Sequence, residues 1–211
     1  MASATQDQRD AGDARQRILT TAYRLFCRHG IRSVGIEAII EGSGVAKMTM
    51  YRHFRSKDDL VVAVLERRAE LWTRSWLQTE VEHRAADPAG RLLAVFDVFG
   101  EWFHRPGFEG CFFINALLEF EDRRHRIHRE SRRHLALIRE FLEDLAGQAG
   151  VSDPERFARQ WHILMKGSIV AAQEGDQEAA GRARQLALLL LQHELANPTP
   201  GIRRRRSTTP A

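Results

Sequence analysis

An all-α protein is what this sequence predicts, and three observations predict it. Apolar residues recur with a period near 3.6 in every substantial segment, and no stretch sustains the alternation of a half-buried strand. Helix starts and stops such as Gly30, Asp87-Pro88, Gly150 and Ser152-Asp153-Pro154 divide the chain into pieces of helical length. The composition, 43% hydrophobic and 28% charged over 211 residues, suits a chain that buries a core in one or two domains.

The elements follow in order, about nine helices in all. Ile18, Leu19, Ala22, Leu25 and Phe26 share one face of a first helix over 13–29, and Gly30 supplies its stop. Two short helices, about 36–42 and 47–53, flank Ser43-Gly44-Val45-Ala46. Ser56, with an acidic residue three positions on, caps a long helix running from Lys57 to about His83. Asp87-Pro88 opens a helix that His104-Arg105-Pro106-Gly107 breaks, and a short apolar helix covers 111–121. Further helices are predicted over about 124–149, from Pro154 to Glu174, and over about 177–194. The segment 197–211, with its prolines and its run Arg203 to Arg206, reads as a disordered basic tail.

Several classes are excluded early. No apolar stretch approaches the roughly 18 residues of a membrane span, so no membrane partner is expected. The N-terminal residues carry no apolar signal region, which leaves the cytoplasm as the expected compartment. Cys27 and Cys111 are too few for a disulfide framework and lack a CxxC pair. No nucleophile elbow, phosphate loop or HExxH occurs, so an enzyme that uses Glu119 or a histidine as acid–base group has only generic residues behind it, and no cofactor is implied. The net charge of +4 is unevenly spread: +3 over residues 1–60, −3 over 61–202, and +4 in the arginine run. A polyanion would meet the two ends.

The informative stretch is 36–54. Two short helices joined by a glycine turn can cross steeply and leave the second exposed along its length, a helix-turn-helix over 35–54. Ile39, Ile40, Val45, Met50 and Phe54 would form its small core. Ala46, Lys47, Thr49, Tyr51 and His53 would face outward, and small or polar residues there admit the helix to a major groove about 12 Å wide.

These residues resemble the DNA-binding half of the TetR family of bacterial repressors. The match comprises Gly30, Ile36, Ile39, Ser43, Gly44, Val45, Thr49, Met50, Tyr51, His53, Phe54, Ser56, Lys57 and Leu60, with the G-V, Y-x-H-F and S-K spacings fixed together. The resemblance implies phosphate contacts by Tyr51 and Lys57 and base contacts by Lys47, Thr49 and their neighbours. Two positions depart from the family pattern. Gly35 stands where a hydroxyl residue is usual, which leaves only its amide for phosphate, and Met48 replaces a common glycine and brings a large side chain to the groove. The expected DNA-binding domain spans 12–72. A helical ligand-binding and dimerisation domain is expected over 73–196, so the implied partners are a double-stranded operator, a second copy and a small-molecule effector.

Within that second half, the run from Gly110 to Phe120 resembles a G-C-x-x-x-N-x-x-x-E segment of one branch of the family. Trp102, Phe103, Cys111, Phe112, Phe113, Asn115, Leu118 and Glu119, with Trp161 and Met165, combine aromatic walls with a few polar handles, as a ligand pocket needs. Cys111 has no Lys or His neighbour in sequence to favour a reactive thiolate. His125 and His128 share a helix face with Glu121, but the surrounding arginines would repel a cation, so the reading is a solvated face and no metal site. For pairing, Phe157, Trp161, Leu164, Ser168 and Ala172 make one stripe and Ala183, Leu186 and Leu190 another, enough to complete a four-helix bundle with a second copy.

Overall fold

The computed structural model describes residues 2–197, so the tail expected over 197–211 lies outside the described residues except at Asn197. All regular structure among them is helical, in the order α1 (Ala2–His29), α2 (Ile36–Ser43), α3 (Lys47–His53), α4 (Lys57–Arg68), a π-helical segment (Ala69–Leu77), α5 (Gln78–Arg84), α6 (Pro88–Phe103), α7 (Phe112–Glu119), α8 (Arg126–Gln148), α9 (Pro154–Gln173) and α10 (Ala179–Ala196). Since the run from Lys57 to Arg84 is unbroken, nine helices stand among the described residues when it counts once.

The chain divides into two compact units. The first comprises residues up to Thr79 together with Pro106–Ile138, and the second comprises Glu80–Arg105 together with the chain from Arg139 onward. In the first unit α1 packs on α2, α3 and α4. Its inward residues Ile18, Leu19, Ala22 and Phe26 meet a core that contains Ile31, Ile39, Met50, Leu60 and Val64, each no more than 2% exposed. Burying a side chain of this size contributes about 1.5–3 kcal/mol, so this cluster outweighs the weak intrinsic stability of helices as short as α2 and α3.

Local chemistry sets the ends. Gly30 has φ +82° and its N–H reaches the Phe26 carbonyl at 2.9 Å, closing α1. Ser56 accepts from the Asp59 amide at 3.1 Å, Asp87 from the Gly90 amide at 2.8 Å, and Asp153 from the Arg156 amide at 3.1 Å. Prolines at the first turns of α6 and α9 complete those starts. The long helix expected from Lys57 to His83 differs in winding: its middle, AELWTRSWL, is π-helical. The 3.6 periodicity of the sequence cannot register that local insertion.

In the second unit α10 packs against both α6 and α9. Ala179, Ala180, Ala183 and Ala187 are the buried residues on α10 that permit close approach, and a Cβ at Gly100 of α6 would lie 3.7 Å from that of Ala180. Trp161, fully buried, stacks obliquely on Phe157 and Phe96 with ring centroids 5.1 and 5.5 Å away. No helix among the described residues is long and apolar enough to cross a membrane.

Candidate nucleic-acid interface

The helix-turn-helix forms over the expected residues. Gly44 closes α2 with φ +64°, its N–H shared between the Ile40 and Glu41 carbonyls at 3.0 and 3.2 Å. A left-handed residue here turns the chain so that α3 starts at once, with Ala46 as its cap. Ile39, Val45, Met50 and Phe54 are buried beneath α3, and Ile40 is only half-buried. Their anchoring leaves the other side of α3 in solvent.

On that side Ala46 and Lys47 are exposed, Met48 is 83% exposed and Tyr51 43%, while Thr49 is half-buried. Gly35 is exposed at the start of α2 and, having no side chain, leaves that helix start without a side-chain cap. His53 departs from the outward reading. It is half-buried, its Nε2 is buried without a hydrogen-bond partner, and burial, with help from Arg52 and Arg15, pushes its pKa below the usual value. Its ring lies 6.3 Å from that of Phe54, so His53 packs beside Phe54 at the end of α3. Lys57 is half-buried, and its Nζ donates to the Arg32 carbonyl at 3.2 Å, tying down the loop that precedes α2.

Sequence reasoning missed two cations. Arg52 and Arg55 are exposed at the end of α3 and in the turn after it, and neither forms an ion pair among the described residues. Arg15 joins them by sitting 5.5 Å over the Phe54 ring. The signal was present in Tyr-Arg-His-Phe-Arg, but a period of 3.6 alone does not separate phosphate-facing arginines from an ordinary solvated face.

The residues read as a ligand pocket are divided. Cys111, Phe112 and Phe113 are buried in the first unit, Asn115 is half-buried there, and Trp102, Phe103, Trp161 and Met165 are buried in the second. Two positions are corrected. Leu118 is 69% exposed, not part of a buried wall. Glu119 accepts from the Ile31 amide at 2.8 Å and from the Arg32 amide, so its carboxylate is occupied by the α1–α2 loop and is not a handle for a ligand. Asn115 is held by its own loop, its Nδ2 donating to the Glu109 carbonyl at 3.3 Å. Burial pushes the Cys27 thiol up to about 12, so that thiol is unreactive.

The pairing stripe is corrected too. Phe157, Trp161, Ser168 and Ala183 are buried within one chain, because α6 and α10 already cover that side of α9. Leu164, Ala172 and Leu190 are half-buried, and Leu186 is 56% exposed. The large apolar residues that α9 and α10 leave in solvent are Ile163, Val170, Leu186, Leu189 and Leu195, from 43% to 66% exposed. The histidine face on α8 is also not solvated as expected: His128 is buried, with Nδ1 2.7 Å from the Phe120 carbonyl, and His125 lies 3.5 Å from Asp58. Among the described residues no group of three or more His, Cys, Asp or Glu could hold a metal ion.

An all-helical chain with an exposed second helix after a glycine turn belongs to the class of helix-turn-helix regulators, and the comparisons make the assignment specific. Residues 18–64 match the family model of bacterial regulatory proteins of the tetR family, and residues 88–187 match that of a tetracyclin repressor-like C-terminal domain. SCO4454, a TetR-family transcriptional regulator from Streptomyces coelicolor, is 30% identical with a TM-score of 0.78, over 87% of this chain and 96% of that one. A TetR-type regulator from Streptomyces avermitilis, sav143, is 28% identical with a TM-score of 0.75, over 86% and 97%. The chain belongs to the TetR family. An HTH-type transcriptional regulator of Staphylococcus aureus is 30% identical over 78 residues, 37% of this chain, and the match spans 42% of that relative's length.

Proposed function

We propose that the chain is a ligand-responsive repressor that binds a palindromic operator as a homodimer in the cytoplasm and leaves it when a small molecule binds. The DNA-binding head would span 12–72 and the ligand-binding and pairing body 73–196. One observation carries the reading: α3 is held from below by Met50 and Phe54 while Ala46, Lys47, Met48 and Tyr51 stand in solvent. In the groove, Lys47, Met48 and Thr49 approach base edges, and Tyr51, Arg52, Arg55 and the Gly35 amide meet phosphates. Lys57 acts on the same surface by fixing the loop behind it.

Pairing follows from the length of the reader. With seven residues, α3 is about 10 Å long and reads few base pairs, whereas two copies one helical turn apart, about 34 Å, read a palindrome. Ile163, Val170, Leu186 and Leu189 supply the apolar face on which two copies would meet. For the effector, Trp102, Phe103, Trp161 and Met165 offer apolar walls, and the Trp161 Nε1–H, buried without a hydrogen-bond partner among the described residues, would donate to an acceptor on the ligand. Release needs only that the ligand favour the DNA-incompetent arrangement; a tenfold loss of operator affinity corresponds to about 1.4 kcal/mol of coupling.

Fluorescence anisotropy with the duplex upstream of the protein's own reading frame tests this. Specific binding should fall with rising salt; Arg52→Ala should weaken it and lower the salt slope by about 1, whereas Tyr51→Ala, which removes a neutral contact, should weaken it with the slope unchanged. Met48→Gly should instead change the preferred sequence with the slope unchanged. Equal affinity for the upstream duplex and a scrambled one would remove the repressor reading.

A further inference from the structure

A cleft of about 100 Å³ opens in the first unit, away from the α2–α3 surface in sequence and sharing no residue with it. α1 contributes Leu19, Thr20 and Tyr23, α4 contributes Val64, Arg67 and Arg68, and the π-helical segment contributes Leu71. Most of its wall is hydrocarbon, with Leu71 as a lip that is 53% exposed. The π-helical winding that begins at Ala69 re-aims Leu71 and Trp72 relative to a regular helix, and such interruptions recur at functional sites.

Two guanidinium groups border this apolar space, and neither has an acidic partner among the described residues. The Arg68 guanidinium carbon lies 5.2 Å from the centre of the Tyr23 ring and 5.6 Å from that of Trp72, contacts with ring faces that leave its N–H edges to an in-plane acceptor. Arg67 donates from Nη1 to the Thr20 hydroxyl at 3.2 Å. Neither arginine forms an ion pair among the described residues, unlike Arg84, Arg126 or Arg156. Burial and the neighbouring Arg15 push the Arg67 pKa below its usual value, an imbalance that a bound anion would relieve.

Size and charge together define the occupant. An apolar cavity of roughly 150 Å³ holds benzene, so a cleft about a third smaller but open on one side holds a single ring or a branched aliphatic group whose polar end protrudes. A carboxylate at that end matches the fork geometry of arginine. We propose that this cleft is a second small-molecule site, which takes a monocyclic aromatic or branched aliphatic carboxylate with its body between Leu19, Val64 and Leu71 and its oxygens on Arg67 and Arg68. A ligand there clamps α1 to α4 within the DNA-binding head. The proposal goes beyond the repressor reading and stands or falls on binding alone, without DNA.

The experiment is a methyl-resolved NMR titration of the full chain with benzoate, using benzyl alcohol and benzylamine as neutral and cationic probes of the same size. Benzoate should shift the methyl signals of Leu19, Val64 and Leu71 saturably, and the other two should bind at least about tenfold more weakly, a difference of about 1.4 kcal/mol. Arg67→Gln combined with Arg68→Gln should erase the preference for benzoate while an unchanged thermal midpoint shows the fold intact. Leu71→Trp, at an exposed position, should fill the cleft and abolish saturation even if the arginine variant fails to fold. Absence of saturable shifts, equal affinity for all three probes, or benzoate binding that survives Leu71→Trp would overturn the proposal. So would the same methyl shifts produced by raising protein concentration without benzoate, which would put a second copy in the cleft.

Discussion

His162 shows how one buried side chain makes the stability of the fold depend on pH. It is 2% exposed on α9, its Nδ1 has no hydrogen-bond partner among the described residues, and burial, followed by the charges of Lys166 and Arg139, lowers its pKa from 6.5 to about 3. The native state therefore resists the proton that the unfolded chain accepts. Stability from this group is complete above pH 6.5, declines as pH falls below it, and levels off near the folded value of about 3. At about 1.4 kcal/mol per pH unit, the loss reaches roughly 2 kcal/mol by about pH 5. Replacing His162→Leu should flatten that part of the acid limb, read as the urea midpoint at about pH 7.5 and about pH 5 in both proteins. An acid limb of the same steepness in the variant would show that other groups govern it.

At the scale of elements, α7 acts as a brace for the loop in front of the helix-turn-helix. Its last residue, Glu119, receives the Ile31 and Arg32 amides, Arg32 lies 5.1 Å over the Phe120 ring, and Asp59 at the start of α4 pairs with Arg126 at the start of α8. Glu119→Ala would leave a part-buried amide unsatisfied, which costs about 1–3 kcal/mol. Faster hydrogen exchange at Ile31 and Arg32 should accompany a lower thermal midpoint, and exchange at wild-type rates would show that water replaces the carboxylate without loss. The brace marks the boundary of what was legible beforehand. Ser56, Asp87 and Asp153 announce their helices because a cap acts within three residues, and Gly44 announces its turn because few other residues tolerate its φ. Glu119 meets a partner 88 residues away, so nothing beside it in sequence separates a brace from a pocket wall. His53 likewise sits at an outward position of α3, and only the packing of Phe54 and the nearby arginines turns its Nε2 inward.

For the whole molecule, the question is which apolar surface a second copy would cover. Leu188 to Leu191 place leucines about 100° apart around α10, so one fold cannot bury them all. Leu191 is 3% exposed and faces inward, whereas Leu189 is 63% exposed and Leu186, one turn earlier, 56%. On α9, Ile163 and Val170 are exposed seven residues apart, with Gly167 between them leaving room for close approach. Each of the two sequence stripes mixed core with surface, the first joining buried Phe157 and Trp161 to half-buried Leu164 and the second joining buried Ala183 to exposed Leu186, because apolar residues at helical spacing carry no label for core or interface. Covering these half-exposed side chains on both copies takes apolar surface out of water and so opposes the cost of association. Leu186→Arg together with Leu189→Arg should therefore shift sedimentation from dimer to monomer while far-ultraviolet circular dichroism stays unchanged, since neither side chain belongs to the core. Loss of operator affinity should follow with α3 intact. A variant that still sediments as a dimer would move the interface elsewhere, and one that binds a full palindrome as a monomer would break the link between pairing and recognition.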